Sequence, residues 1–373
     1  MSTIQTASLE VNLLPVPTWR HLKMNGCSLD ISFEQEPFFP STGMLALEKE
    51  GVLQRIPDFS KQGREKAVGE GKPEIQALTS FVQKNCNLPP YQVGVKEGQE
   101  LEDPLMMDYL LDGNSPTLIE TLEVDMGPRS SATLIRSFRT SQNTGSFFHA
   151  GSTRVHVGKK ANLTLLHMRF LDEGTTDLDE LYVTLEEEAT FTLVEIVMGS
   201  AQSYIDTHVA MQGHGSECTI GCINVVDKQG SADFNFHVEH QGAMTNSSLL
   251  VRGALMDNAS KLFRGTIDFH KGCKGSKGSE DEYSVLLSPS VKNRSVPLIL
   301  CAEEDVEGSH AVSSGRLDHN ALFYLTSRGI DEKNAKRLLV EAQLYPILAM
   351  VSDEQILSEI QGQLSKRLDS YGK

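Results

Sequence analysis

The sequence is poor in aromatic residues, with one tryptophan and 6 % aromatics in 373 residues. It has no stretch of about 18 apolar residues, which argues against a membrane-spanning helix. Its opening, MSTIQTASLEVNLLP, lacks a basic segment followed by an apolar run, so no secretory signal is expected. The sequons at Asn162, Asn246, Asn258 and Asn293 then read as chance matches. Basic residues are scarce. The 34 Lys and Arg against 50 Asp and Glu leave a formal charge of −16, the wrong sign for sequence-blind nucleic-acid binding. Cysteines are few and far apart, at 27, 86, 218, 222, 273 and 301. That spacing suits free thiols in a reducing, cytoplasmic setting better than a disulfide framework.

What is present is enough apolar material for a core: 39 % hydrophobic residues, with 23 % charged and 30 glycines. Wholesale disorder is excluded, and the length fits two or three domains or one elongated repeat. Texture divides the chain into residues 1–115, 116–318 and 319–373. The first part is mixed and broken by nine prolines, from Pro15 to Pro104. Short helices fit at 43–54 and 73–84, the second with Ile75, Leu78, Phe81 and Val82 on one face.

The middle part consists of short runs rich in Thr, Val, Ile, Leu and Phe, among them LTLLHMRF (163–170), TFTLVEIV (190–197), YIDTHVAM (204–211) and LFRGTIDF (262–269). Gly, Ser, Asn and Asp separate them, as in GSA (230–232) and NAS (258–260), and helical periodicity is nearly absent. In DFNFHVE (233–239), Phe234, Phe236 and Val238 alternate with Asn235, His237 and Glu239. A sandwich or barrel would end after about 100 residues per domain. This pattern continues to residue 302, and its turns lack Asn-Gly or Asp-Gly hairpin signals, which favours a parallel β-helix.

The last part is helical. Gly329 suits the position after a helix, Asp331 the cap of the next, and Ala335, Leu338, Leu339 and Ala342 an apolar stripe. Pro346 is expected to stop that helix. Ser352 with Gln355 reads as a capping box for a final helix whose apolar face carries Ile356, Ile360, Leu364 and Leu368. Two such helices suit either a docking module or a plug over the open end of a solenoid.

Motifs for catalysis are weak. FHKGCKGSKGSE (269–280) fails as a phosphate-binding loop: counting from Gly272, Gly-Lys is required at 277–278, where Lys277 and Gly278 stand. It reads as a mobile basic turn with Cys273 exposed. Cys218 and Cys222 on one strand would lie about 13 Å apart at about 3.3 Å per residue, too far to share a metal. They read as core thiols, and Cys301 at the end of an apolar run also reads as buried. His237 and His240 in HVEH do not match HExxH, and the scattered histidines 149, 156, 167, 208, 214 and 270 leave room for some to line one outer face. The segment CAEEDVEGSHAVSSGRLD (301–318) places His310 among small residues after four acids. It suits either metal ligation or an acidic solvated turn.

The stretch from SLLVRGALMDNASKLFRGTIDFHKGCKGSKGSE to SHAVSSGRLDHNALFYLTSRGIDEKNAKRLLVEA resembles the SufB/SufD family of iron–sulfur cluster assembly proteins, and VNLLPVPTWRHLKMN (11–25) resembles its SufD branch. The resemblance implies a right-handed parallel β-helix flanked by helical ends, and a non-catalytic scaffold subunit handling a transient iron–sulfur cluster. It implies pairing with SufB through the β-helices, a C-terminal module that holds the SufC ATPase, supply by a cysteine desulfurase system, and room for a flavin in the complex. His310 matches the family histidine at the SufB–SufD interface, a potential cluster ligand. Arg328, Gly329, Leu338, Leu339 and Ala342 fall in the SufC-docking module. Gly308 stands where some SufD proteins carry a cysteine, so sulfur ligands would come from SufB. A homodimeric SufB-like scaffold is the nearest alternative. A carbohydrate-active solenoid is a remote one, with only the Glu303–Glu307 turn to offer paired carboxylates.

Overall fold

The computed structural model describes residues 4–18, 22–34, 36–49, 51–56, 76–141 and 145–371. Pro73 and Ile75 of the helix expected at 73–84 lie outside them. The described part of that helix runs Gln76–Asn85 (α2), with Leu78, Phe81 and Val82 buried as expected. The helix expected at 43–54 is shorter, Thr42–Lys49 (α1), and is followed by a short strand, Leu53–Arg55 (β3).

The chain is mainly β, 52 % strand, and is built on a parallel solenoid of about eight turns. One sheet stacks β4 (Tyr91–Val95), β6 (Thr117–Met126), β8 (Phe147–Val157), β10 (Thr175–Leu185), β12 (Gln202–Met211), β14 (Ser231–His240), β16 (Ser260–Phe269) and β18 (Lys292–Cys301). The other stacks β5 (Leu105–Leu111), β7 (Ser131–Thr140), β9 (Asn162–Leu171), β11 (Thr190–Gly199), β13 (Glu217–Val226), β15 (Asn246–Leu255), β17 (Ser276–Leu286) and β19 (Val306–Gly315). The first coil, β4 and β5, therefore precedes residue 116. Pro89, Pro90 and Pro104 sit beside its strands rather than within them, where a missing N–H is tolerated. Coil repeats range from 26 residues, Thr176 to Gln202, to 32, Ser260 to Lys292.

Alternate residues of each strand point into the lumen. Leu122, Val124, Phe191, Leu193, Ile220, Phe234, Phe236 and Phe263 form one continuous apolar core there. One column of corners carries left-handed residues, Gly98, Arg129, Lys160, Glu188, Gly215, Met244 and Gly275. Each donates its backbone N–H to a carbonyl one coil on, at 2.6–2.9 Å. These bonds continue the ladder around the bend, offsetting a left-handed penalty of about 1–2 kcal/mol at each non-glycine residue.

The N-terminal region caps the first coils. Phe38, Met44 and Leu53 enter the lumen core. The hairpin of β1 (Ile4–Val11) and β2 (Cys27–Glu34), with α2, covers the outer face of the β4–β18 sheet through Ile31, Phe33, Leu78 and Phe81.

The C-terminal helices are α3 (His319–Ser327), α4 (Glu332–Leu348) and α5 (Glu354–Ser370). They do not plug the solenoid end. Val340, Leu344, Ile347, Ile356, Ile360 and Leu364 lie on the outer face of the β5–β19 sheet against Leu166, Met168, Ile196, Met198 and Ile223. Gly221 of β13 makes room, since a Cβ there would meet Ile347 and Met350 at 2.9 Å. Asp331 caps α4 as expected, accepting from Asn334 N at 3.0 Å. Three expectations are corrected. The buried stripe of α4 is Ala335, Val340, Leu344 and Ile347, while Leu338 and Ala342 are exposed, because the helix is apolar on two sides and only one meets the sheet. Pro346 lies inside α4, where its missing N–H removes only one bond close to the helix end. The cap of α5 is Asp353, not Ser352, and its carboxylate accepts from Gln355 N and Ile356 N.

Candidate functional site

Strands β18 and β19 end the two sheets, and no described element lies beyond them. The 301–318 segment is thus neither a joining turn nor a loop. It contains β19, the edge strand, almost wholly exposed. Its sequence hides the strand because no apolar face needs covering within this chain.

The register fixes which side chains of β19 overlook the lumen. A Cβ on Gly308 would meet Phe269 at 3.1 Å and Ile299 at 3.4 Å, so Gly308 faces inward. His310, two residues on, shares that face and is exposed at the open mouth. Its neighbour in the next rung is Glu280 of β17. Glu280 is buried, and burial, reinforced by Glu282, pushes its carboxyl up to about 8. Its Oε1 has no hydrogen-bond partner. Gly265 on the opposite strand leaves the room that Glu280 occupies. Beside it Lys261 pairs with Glu282 and donates to Ser284 at 2.6 Å, and Ser295 donates to Glu282 at 2.8 Å. Chemically, the mouth offers an exposed imidazole above a carboxyl group that remains largely protonated at neutral pH.

Cys301 pairs in register with Phe269 and shares the lumen face of β18. It is exposed, not buried as expected, because the apolar run that carries it borders the open end. Its Sγ donates to the Glu303 carbonyl at 3.0 Å. Cys273 is buried instead of exposed, and burial with Glu303 raises its thiol. The 269–280 turn is a pinned corner rather than a mobile loop: Gly272 N donates to Glu303 Oε2 at 2.9 Å and Gly275 N to the Asp305 carbonyl. Cys218 and Cys222 are core thiols as expected, and burial raises both.

The residues expected in the docking module share α3, α4 and their junction. Arg328, Gly329, Leu338 and Ala342 are exposed and Leu339 is half-buried. The structure adds Phe323, Tyr324 and Tyr345, all large and exposed, which sequence reading missed. Their signal was available: α3 buries none of its residues, yet carries Leu322, Phe323, Tyr324 and Leu325 in succession.

A second polar stretch of the lumen also escaped sequence reading. Arg136 pairs with Glu120, and Arg169 with Asp179 and Glu195, all buried. Arg169 Nε also lies 3.3 Å from Asp177, which meets His149 Nδ1 at 2.6 Å. Phe138 lies between the two guanidinium groups, 4.9 and 5.2 Å from its ring centre. Burial depresses His167 strongly and lifts Glu195 to about 7. Burial alone would raise Glu120 and Asp177, but Arg136 and Arg169 hold them below their ordinary values.

The family model for the SUF system FeS cluster assembly SufBD core domain matches residues 109–343. The chain belongs to that family. It is similar to the iron–sulfur cluster assembly protein SufD of Escherichia coli (strain K12), 23 % identical over 280 residues, which cover 74 % of this chain and 66 % of that protein. It is also similar to SufD of Bacillus subtilis (strain 168), 22 % identical over 275 residues, covering 74 % and 63 %. A SufBD family protein of Pyrococcus horikoshii is 21 % identical over 315 residues, covering 84 % and 69 %. The chain thus spans a little under two thirds of the length of the two SufD relatives. No helix among the described residues is long and apolar enough to cross a membrane.

Proposed function

We propose that this chain is a SufD-like, non-catalytic scaffold subunit for iron–sulfur cluster assembly, with the nascent cluster as its cargo at the β19 edge. The observation that carries the reading is His310, exposed on the lumen side of an edge strand beyond which no described element lies. An unpaired strand presents backbone donors and acceptors to a second sheet, so a SufB-type solenoid docked there would extend both sheets and close the mouth. His310 would then face that partner's ligands, and neutral imidazole is a competent iron ligand. Arg328, Gly329, Leu338, Leu339 and Ala342, joined by Phe323, Tyr324 and Tyr345, would bind an ABC-type ATPase of the SufC kind. The fold supports this because α4 and α5 are anchored to the sheet while their outward side, with α3, retains its aromatic groups.

Anaerobic co-expression of the full chain with candidate SufB and SufC partners tests the proposal. A stable complex that contains both is expected, with the ATPase lost on Phe323→Ala/Tyr324→Ala and the SufB-type partner retained. A homodimer that recruits the ATPase without SufB would instead support the homodimeric scaffold, for which the same edge is available. A monomer with affinity for neither would overturn both readings.

A further inference from the structure

The outer face of the β4–β18 sheet carries a group of side chains that the β19 edge does not use. His208 of β12 and His237 of β14 occupy one row of the ladder, and their rings lie 4.7 Å apart. Glu239 of β14 and Asp268 of β16 occupy the next row, and His270 follows two residues beyond Asp268. On a strand, residues two apart share a face, so HVEH works here through His237 and Glu239 rather than through a helical spacing. His240 points into the lumen instead, bonded to Thr245 and Ser247.

The donor atoms converge. His208 Nε2 lies 2.9 Å and His237 Nε2 3.8 Å from Glu239 Oε1. His237 Nε2 lies 3.7 Å and His270 Nε2 3.2 Å from Asp268 Oδ2, and His270 Nε2 lies 3.9 Å from Glu239 Oε2. The donor atoms of His208, His237 and Glu239 all lie within 4.8 Å of one another, as do those of Glu239, Asp268 and His270. Ligands about 2.0–2.2 Å from a common ion are separated from one another by about 3–4 Å, close to the 2.9–3.9 Å of the pairs above.

We propose that His208, His237 and Glu239 bind one divalent transition-metal ion on the outer face of the solenoid, with Asp268 and His270 as the arm through which it reaches solvent. His208, His237 and Glu239 are buried, while Asp268 and His270 are partly exposed, so the group has a closed floor and an open side. Two carboxylates among three imidazoles match a doubly charged ion. Mixed imidazole and carboxylate donors suit Zn2+, Co2+ and Fe2+ rather than Ca2+ or Mg2+, which take oxygen alone. The site is separate from β19 and does not depend on the role proposed for His310.

The test is a titration of the purified full chain with Co2+, followed by its visible absorption, and with Zn2+ by calorimetry. Running it in the His310→Ala background removes the edge imidazole from the count. One equivalent is expected, with a nitrogen and oxygen ligand spectrum free of thiolate charge transfer. His208→Ala/His237→Ala should lose binding by 100-fold or more, as should Glu239→Gln, which keeps the side chain's shape and guards against a folding defect. His270→Ala, on the outer arm, should weaken it about 10-fold. Absence of saturable binding in the parent chain, parent-level affinity in the double or the Glu239→Gln variant, or a thiolate spectrum would each overturn the proposal.

Discussion

The lumen buries charge in its second to fourth coils and again in its last ones, yet the two charged stretches are completed differently. In the early coils two arginines face four carboxylates, Phe138 fills the space between the guanidinium groups, and the N-terminal region closes the end. In the last coils one lysine faces two carboxylates, and it is spent on Glu282, leaving Glu280 beneath an open mouth. Each stretch uses an inward glycine to fit its charges. A Cβ on Gly151 would meet Asp179 and Glu120 at 2.5 and 2.8 Å, and one on Gly265 would strike Glu280. The first arrangement finds its cations and its cover within the chain, although Asp177 Oδ2, Asp179 Oδ1 and Glu195 Oε2 have no hydrogen-bond partner among the described residues. In the second, Lys261 pairs with Glu282, Glu280 is held largely protonated with no cation paired to it among the described residues, and no described element covers the mouth, which is the expected condition of a surface that a partner finishes.

The sharpest way to break the comparison is at Arg136. Arg136→Leu leaves Glu120 buried without its cation, and such a loss costs about 3–5 kcal/mol. Denaturant unfolding should show that loss. Arg136→Leu combined with Glu120→Leu should recover much of it, since the early network is then an internal matter of stability. A single variant as stable as the parent would mean that the early coils are no more self-sufficient than the late ones.

A pH effect of comparable size probes the late stretch through Glu280. Glu280 carries a carboxyl raised to about 8 by burial and by Glu282. Between its ordinary value near 4.5 and 8, the folded chain holds a proton that the unfolded chain has released. Folding stability therefore falls as pH rises through that window and levels off above it, at about 1.4 kcal/mol for each pH unit traversed. Glu180, buried under α2 at about 8, and Glu195 at about 7 add slopes of the same sign. Glu280→Gln should remove one share of the slope. It should match the parent near pH 4.5 and exceed its stability by a few kcal/mol at pH 8. An unchanged slope would show that the mouth solvates Glu280 well enough to keep it ionised.

Most parts that bury their own apolar surface were legible in the sequence, the stripe of α4 excepted. The runs at 163–170, 190–197, 204–211 and 262–269 all lie in strands, β14 alternates as expected, and α5 buries Ile356, Ile360, Leu364 and Leu368. The unread parts follow different rules. Arg129, Lys160, Glu188 and Met244 turn corners in the left-handed region without being glycine, because interstrand bonds hold them there. The buried charges 120, 136, 169, 177, 179 and 195 sit at inward positions of strands, where a sequence pattern assigns charge to solvent. In β19, Gly308, His310 and Val312 show no apolar alternation, because the surface that would select it is not in this chain. His310 stood out by composition, whereas its edge strand and its rung neighbour Glu280 emerged only with the register.

The smallest stability effect should accompany the largest effect on cluster yield. His310 is exposed, so His310→Ala should leave unfolding within about 0.5 kcal/mol of the parent, the range for surface substitutions. With the proposed SufB-type and ATPase partners present, anaerobic reconstitution with iron and sulfide should yield much less cluster, read from the visible iron–sulfur absorption. The complex itself should still form, because the edge pairs through its backbone rather than through this imidazole. A variant that is stable, assembles and builds cluster at the parent rate would remove His310 from the cargo site and leave Glu280 and Cys301 as the groups of the mouth to examine. A variant that fails to assemble would show that His310 serves the interface itself.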